Sequence, residues 1–245
     1  MLMENTTSLE EIKEIAHEFL YLDVQETEFS PVIVSHPFFS TGIVPTCGGK
    51  ILNIMESEKE LQEARKQIDK RIAKTTDVLS ILYLFNKTYR IVFVHYAWPY
   101  LSEKDKADCL REAWITSDNP NEDKNISLET LTEMFKECKK EYLMDEDNLK
   151  VYSNLPENIT AYRGIYEGGN ENGLSWTLNY EIAERFSHRF NTVGIILEKK
   201  LPKTTNSCLF WRPRRRRNHC RNLSTLNVLI FLFFRTYSWF PLSLK

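Results

Sequence analysis

The residues best equipped for chemistry fall in two short runs, Tyr162-Arg163-Gly164 and Ser175-Trp176-Thr177. A guanidinium presents a planar fork of donors that grips phosphate or sugar oxygens at two points, which a lysine ammonium does not. A serine hydroxyl both donates and accepts, so it can bridge a sugar hydroxyl to a carboxylate. Trp176 and Tyr162 offer flat, dry walls beside such groups, although both rings also suit a core. Five of the eight glycines (Gly164, Gly168, Gly169, Gly173, Gly194) lie between 164 and 194, so the backbone there turns sharply or passes close to something. A ligand cleft is one such situation. Standing alone, Arg163 reads as a surface ion-pair residue, and Ser175 and Thr177 as exposed strand residues. Only the ordered set at this spacing points to a site.

Three elements must position these residues. From Asn158 to Tyr166 apolar and polar residues alternate, with Ile159, Ala161 and Ile165 on one side and Thr160, Tyr162 and Tyr166 on the other, which predicts a strand carrying Arg163. Asn179 is placed to cap a helix with Glu181 in its first turn and Ile182, Ala183, Phe186 and Phe190 as its buried stripe. Thr192 to Glu198 reads as a return strand.

An arginine on a strand, a Ser-x-Thr on the next short strand, a packed helix and another strand together resemble the arginine-serine-glutamate class of the ADP-ribosyltransferase superfamily. Tyr162, Arg163, Gly164, Ser175, Trp176, Thr177, Ala183 and Phe186 carry the resemblance, which covers only residues 159 to 198. The chain to about residue 200 also looks like proteins of phages and prophages in which a helical region precedes this element. The resemblance implies NAD as co-substrate and transfer of ADP-ribose to a protein or nucleic-acid acceptor. The bond from ribose to nicotinamide would break through an oxocarbenium-like transition state, with NAD bringing the leaving group and the protein bringing position and charge. It further implies catalytic roles for Arg163 and Ser175, and cofactor contacts from Tyr162, Arg163, Gly164, Ser175, Trp176 and Thr177. The remaining component, a glutamate in a Glu-x-Glu strand, should lie after residue 200.

The sequence after 200 does not supply it. Residues 201 to 245 contain nine basic residues and no acidic one, whereas residues 1 to 200 contain 23 basic and 34 acidic. A stretch of that length without Asp or Glu is far from ordinary composition. Three readings compete: a basic nucleic-acid arm built on Arg212, Arg214, Arg215, Arg216, Arg217 and Arg221 beside Trp211, a membrane-attached end at Leu226 to Phe234, or translation out of frame. The apolar run is too short to span a bilayer. Read one base on, with AGA or AGG for arginine, the codons of Asn206 to Arg221 permit Ile-Leu-Ala-Tyr-Phe-Gly-Gly-Arg-Gly-Glu-Glu-Glu-Ile-Ile-Val-Glu. That text is a Glu-x-Glu followed by a β-branched strand where the resemblance requires one, which favours a frameshift near Lys203 to Asn206. The chain as written would then lack the catalytic glutamate and be inactive or impaired.

With 245 residues and 42% hydrophobic content, the chain builds one large or two small cores. Cys47, Cys109, Cys138, Cys208 and Cys220 are odd in number, scattered and without a CxxC, so neither a disulfide framework nor a metal site is suggested, and reduced cytoplasm is the default. The N-terminal residues lack the basic and apolar regions of a secretory signal, and no run of 18 apolar residues predicts a membrane span.

Before the site, helices dominate. Ser8 with Glu11 forms a predicted capping box for a helix to about Leu22, and Phe29 to Thr46, punctuated by three prolines, reads as extended chain and turns. His36 within it carries no assigned role. Glu56 to Ala73 reads as an exposed helix with a narrow stripe at Leu61, Ala64, Ile68 and Ile72. Val78 to Phe85 and Ile91 to Trp98 form the centre of the core, and helices follow from Ser102, Ser127 and Asp145. The polar loop Ser117 to Asn125 lacks the spacing and glycine of a calcium loop. The fold class is therefore α+β: residues 1–150 a mostly helical region, 151–203 a partial ADP-ribosyltransferase-like core, and 204–245 an aberrant tail. The alternative function is a non-enzymatic phage-type interaction module, or an RNA binder using the arginines of the tail.

Overall fold

The computed structural model describes residues 6–46, 48–117 and 119–203, the backbone alone at residue 190, and the backbones of 207–211 and 228–232. It is an α+β protein that divides into two compact units, Met1–Tyr142 and Leu143–Lys245.

In the N-terminal unit, α1 (Leu9–Leu20) turns Ile12, Ala16 and Leu20 inward. The expected capping box is not made: the Ser8 side chain makes no cap bond, and its amide donates instead to Tyr100 O at 2.8 Å. Thr7 supplies the tie, its hydroxyl bonding Asp105 and accepting from Ser102 N. Two antiparallel hairpins follow where extended chain was expected, β1 (Gln25–Thr27) with β2 (Ser30–Ser35) and β3 (Ile43–Pro45) with β4 (Ile51–Asn53). The β-branched runs between the prolines find partners across each turn. Helix α2 (Glu58–Lys74) is capped by the Ser57 hydroxyl. It is less exposed than its charges suggested, because Arg65 is buried and donates to the carbonyls of Leu20 and Leu22 at 3.2 and 2.9 Å. Those are groups that the end of α1 leaves open, and a cation there also suits the helix dipole.

Short α3 (Val78–Leu82), capped by Asp77, and α4 (Arg90–Ala97) carry the centre of this core. Phe85 stacks on Phe93 at 4.2 Å, Phe38 meets Phe85 at 4.3 Å, and Phe19 meets Phe85 edge-on. His36 sits in the same layer, 1% exposed, with Nδ1 accepting from the amides of Phe38 and Phe39. Helices α5 (Glu103–Thr116) and α6 (Leu128–Glu137) start at the hydroxyls of Ser102 and Ser127 and complete the unit. A single turn, α7 (Lys140–Leu143), leads out.

The C-terminal unit opens at Leu143, the last residue of α7, and its first full helix is α8 (Glu146–Ser153), capped by Asp145. Strands β5 (Asn158–Ile165), β6 (Ser175–Thr177), β7 (Ile195–Pro202), β8 (Ser207–Trp211) and β9 (Val228–Leu232) form one antiparallel sheet in the order β7-β5-β6-β9-β8. Helix α9 (Tyr180–Ser187) separates β6 from β7. Of the tail, only the backbones of β8 and β9 are described, so the arginine-rich run and the frameshift reading lie outside the described residues.

Candidate functional site

The two halves of the motif meet in the sheet. Tyr162 on β5 pairs with Thr177 on β6, while β7 pairs with all eight residues of β5 from the other side. The Arg163 fork bridges the β5–β6 connection: Nη1 donates to Ser175 O at 2.8 Å and Nη2 to Asn170 O at 2.7 Å. The residue is 9% exposed. Charge-assisted bonds of this kind are the stronger ones in proteins, so Arg163 holds the glycine-containing loop 166–174 and the start of β6 against β5.

Strand alternation then separates the expected site residues into two sets. Arg163 shares a face with Ile159, Ala161 and Ile165, all buried, and with Lys199 of β7, which stands opposite Ala161. Trp176 is on that face as well, since its neighbour Thr177 pairs with Tyr162 on the other. The Lys199 ammonium lies 4.9 Å from the Trp176 ring centroid, and burial holds its pKa below the usual lysine value. Tyr162, Gly164, Ser175 and Thr177 belong to the opposite face. The arginine and serine side chains thus leave the sheet in opposite directions, and the guanidinium meets the serine through its main-chain carbonyl.

Helix α9 lies on the face of Tyr162 and Gly164. A Cβ at Gly164 would fall 1.7 Å from Ala183 O, and one at Gly194 would fall 1.8 Å from Ile165 O. The close approach that these glycines permit is therefore to protein backbone. It also explains why α9 buries Ile182, Ala183 and Ser187 while Phe186 remains 43% exposed, contrary to the expected stripe. Small residues make the helix contact, and the aromatic side chain turns out; the Phe190 side chain lies outside the described residues. Tyr162 meets Tyr180 of α9 edge-on at 5.4 Å. Thr177 is buried and its hydroxyl accepts from Asn179 N, while Asn179 Oδ1 caps α9 through the amides of Glu181 and Ile182. Ser175 is half-buried.

Sequence reasoning missed Lys199 and Asn170. Lys199 was findable, because it stands in the apolar phase of Ile195, Leu197 and Leu201 along its strand. Asn170 acts through its main chain and left no signal. Among the described residues no cluster of His, Cys, Asp and Glu could hold a metal ion, and no helix is long and apolar enough to cross a membrane. Comparison with protein-family models, curated proteins and solved structures finds no match.

Proposed function

We propose that the C-terminal unit is an ADP-ribosyltransferase-like scaffold that takes NAD, and that the chain as written transfers ADP-ribose slightly or not at all. The observation that supports this is the direct join between the two motif halves, in which the Tyr162 and Thr177 backbones pair and the Arg163 fork holds the Ser175 carbonyl. In this reading Arg163 acts by positioning. The half-buried Ser175 hydroxyl, which both donates and accepts, is the group that would meet a ribose oxygen. NAD, when bound, supplies the leaving nicotinamide. The acceptor would be a protein or a nucleic acid, and the carboxylate needed to stabilise the ribosyl cation belongs to the strand that a shifted frame would restore.

The test is titration of NAD by calorimetry against wild type, Ser175→Ala and Arg163→Lys, with circular dichroism as the fold control. Wild type should bind, and Ser175→Ala should bind at least several-fold more weakly with its fold intact. Equal, negligible heats from all three proteins would remove the cofactor from the proposal. A one-base correction near codon 203 should bring activity, and a corrected chain that binds NAD without hydrolysing or transferring it would end the enzymatic reading.

The opposite directions of the Arg163 and Ser175 side chains favour a second reading, a binding module without catalysis. It requires no NAD affinity, so the same titration separates the two. An RNA-binding version would show a salt-dependent affinity that disappears on truncation at residue 203.

A further inference from the structure

The main sheet ends on β7, whose inner side is bonded along its length to β5 and whose outer side pairs with no described residue. The Lys203 amide donates to Glu157 O at 2.6 Å, which sets the phase of the ladder. Odd-numbered residues of β7 bond inward, so the N–H and C=O groups of Ile196, Glu198 and Lys200 project outward. Such an edge is a template for another strand unless something blocks it, and a lysine or proline is the common block.

Here the block is incomplete: Lys200 is an exposed charge on the edge, but the exposed Glu198 two residues earlier on the same face can supply its counter-charge. Pro202 stands at the very end of β7. Lys199, at its middle, shares the face of Ala161 and is turned inward, with its ammonium 4.9 Å from the centroid of the Trp176 ring. That turns the charge inward, over the sheet, instead of leaving it beside the outer edge.

We propose that β7 pairs edge to edge and antiparallel with β7 of a second copy of this chain, about a two-fold axis between the two Lys199 residues. The pattern of charge selects this register. It sets the exposed Glu198 of each copy opposite Lys200 of the other, two favourable cross-strand pairs on one face, while the two Lys199 ammoniums turn away from the axis. The neighbouring register with the same hydrogen-bond phase would set Glu198 against Glu198, which is unfavourable. Because Pro202 lacks an amide hydrogen, the ladder is short and the association reversible.

Sedimentation velocity on the full chain over a concentration series tests this, using wild type, Glu198→Lys, and the double variant Glu198→Lys with Lys200→Glu. Wild type should shift from monomer to dimer as concentration rises. Glu198→Lys should weaken the dimer about tenfold or more, and the charge swap should restore it. Circular dichroism verifies that each variant is folded. A wild type that stays monomeric at the highest soluble concentration overturns the proposal, as does a dimer that Glu198→Lys leaves unchanged. Neither result depends on NAD binding.

Discussion

Acid should loosen the N-terminal unit through one side chain, His36. Its Nδ1 accepts from Phe38 N at 3.1 Å and Phe39 N at 3.3 Å, so that nitrogen must be unprotonated. The ring stacks on Phe39 at 4.7 Å, and Nε2 is buried with no hydrogen-bond partner among the described residues. Burial, and then the positive charge of Arg65, push its pKa down from 6.5 to about 4, against the opposing pull of the Leu22 and Leu20 carbonyls. The unfolded chain binds the proton more readily than the folded one, so the neutral ring contributes stability above about pH 6.5, and that contribution is lost as pH falls toward 4. At about 1.4 kcal/mol for each pH unit between the two values, the loss approaches about 3 kcal/mol. His36→Asn keeps an acceptor for the two amides and removes the titration. Amide hydrogen exchange of α1 and α4, measured from neutral pH downward, reads the opening of this unit. Wild type should lose protection relative to His36→Asn only below about pH 6.5. Parallel curves for the two proteins, or an imidazole resonance of His36 that titrates near 6.5, would refute the reasoning.

Gly164→Ala should lower the melting temperature of the C-terminal unit and cost about 3 kcal/mol or more, because the added methyl meets the Ala183 carbonyl; an unchanged melt would mean that α9 is not held where it is seen. Asn179→Ala should cost about 1 kcal/mol through loss of the α9 cap, measured by urea unfolding. Arg163→Ala should free the loop 166–174 for proteolysis and destabilise the unit by about 2 kcal/mol with or without NAD, whereas an arginine serving only as a ligand clamp would leave the unliganded digestion pattern unaltered.

Local signals made most elements legible. Ser102, Ser127, Asp145 and Asn179, expected at helix starts, bond the first amides there, as do Ser57 and Asp77, which follows from such side chains competing well for open N–H groups. Alternation over 158–165 marked β5 because every second residue of the strand faces the core. What was hidden depended on contacts distant in sequence. Ser8 has the right spacing for a capping box, yet its amide is taken by Tyr100, 92 residues further on. Arg65 looks like one charge among many along α2, and only the end of α1 gives it carbonyls to fill.

The candidate site was legible as a set and hidden as an arrangement. Alternation already fixed Arg163 on the side of Ile159 and Ala161, but the face of Ser175 depends on the register between β5 and β6, which rests on the single pair Tyr162 and Thr177. A one-residue slip in that register would exchange the faces of Ser175 and Trp176. The Arg163 fork resists such a slip because it binds the Ser175 carbonyl and the Asn170 carbonyl at once. The arginine therefore decides where the serine hydroxyl is presented without sharing its face. Loss of NAD affinity in an Arg163 variant would not separate a ligand contact from a displaced strand, and Ser175→Ala, which leaves the fork and its two carbonyls in place, is the variant that does.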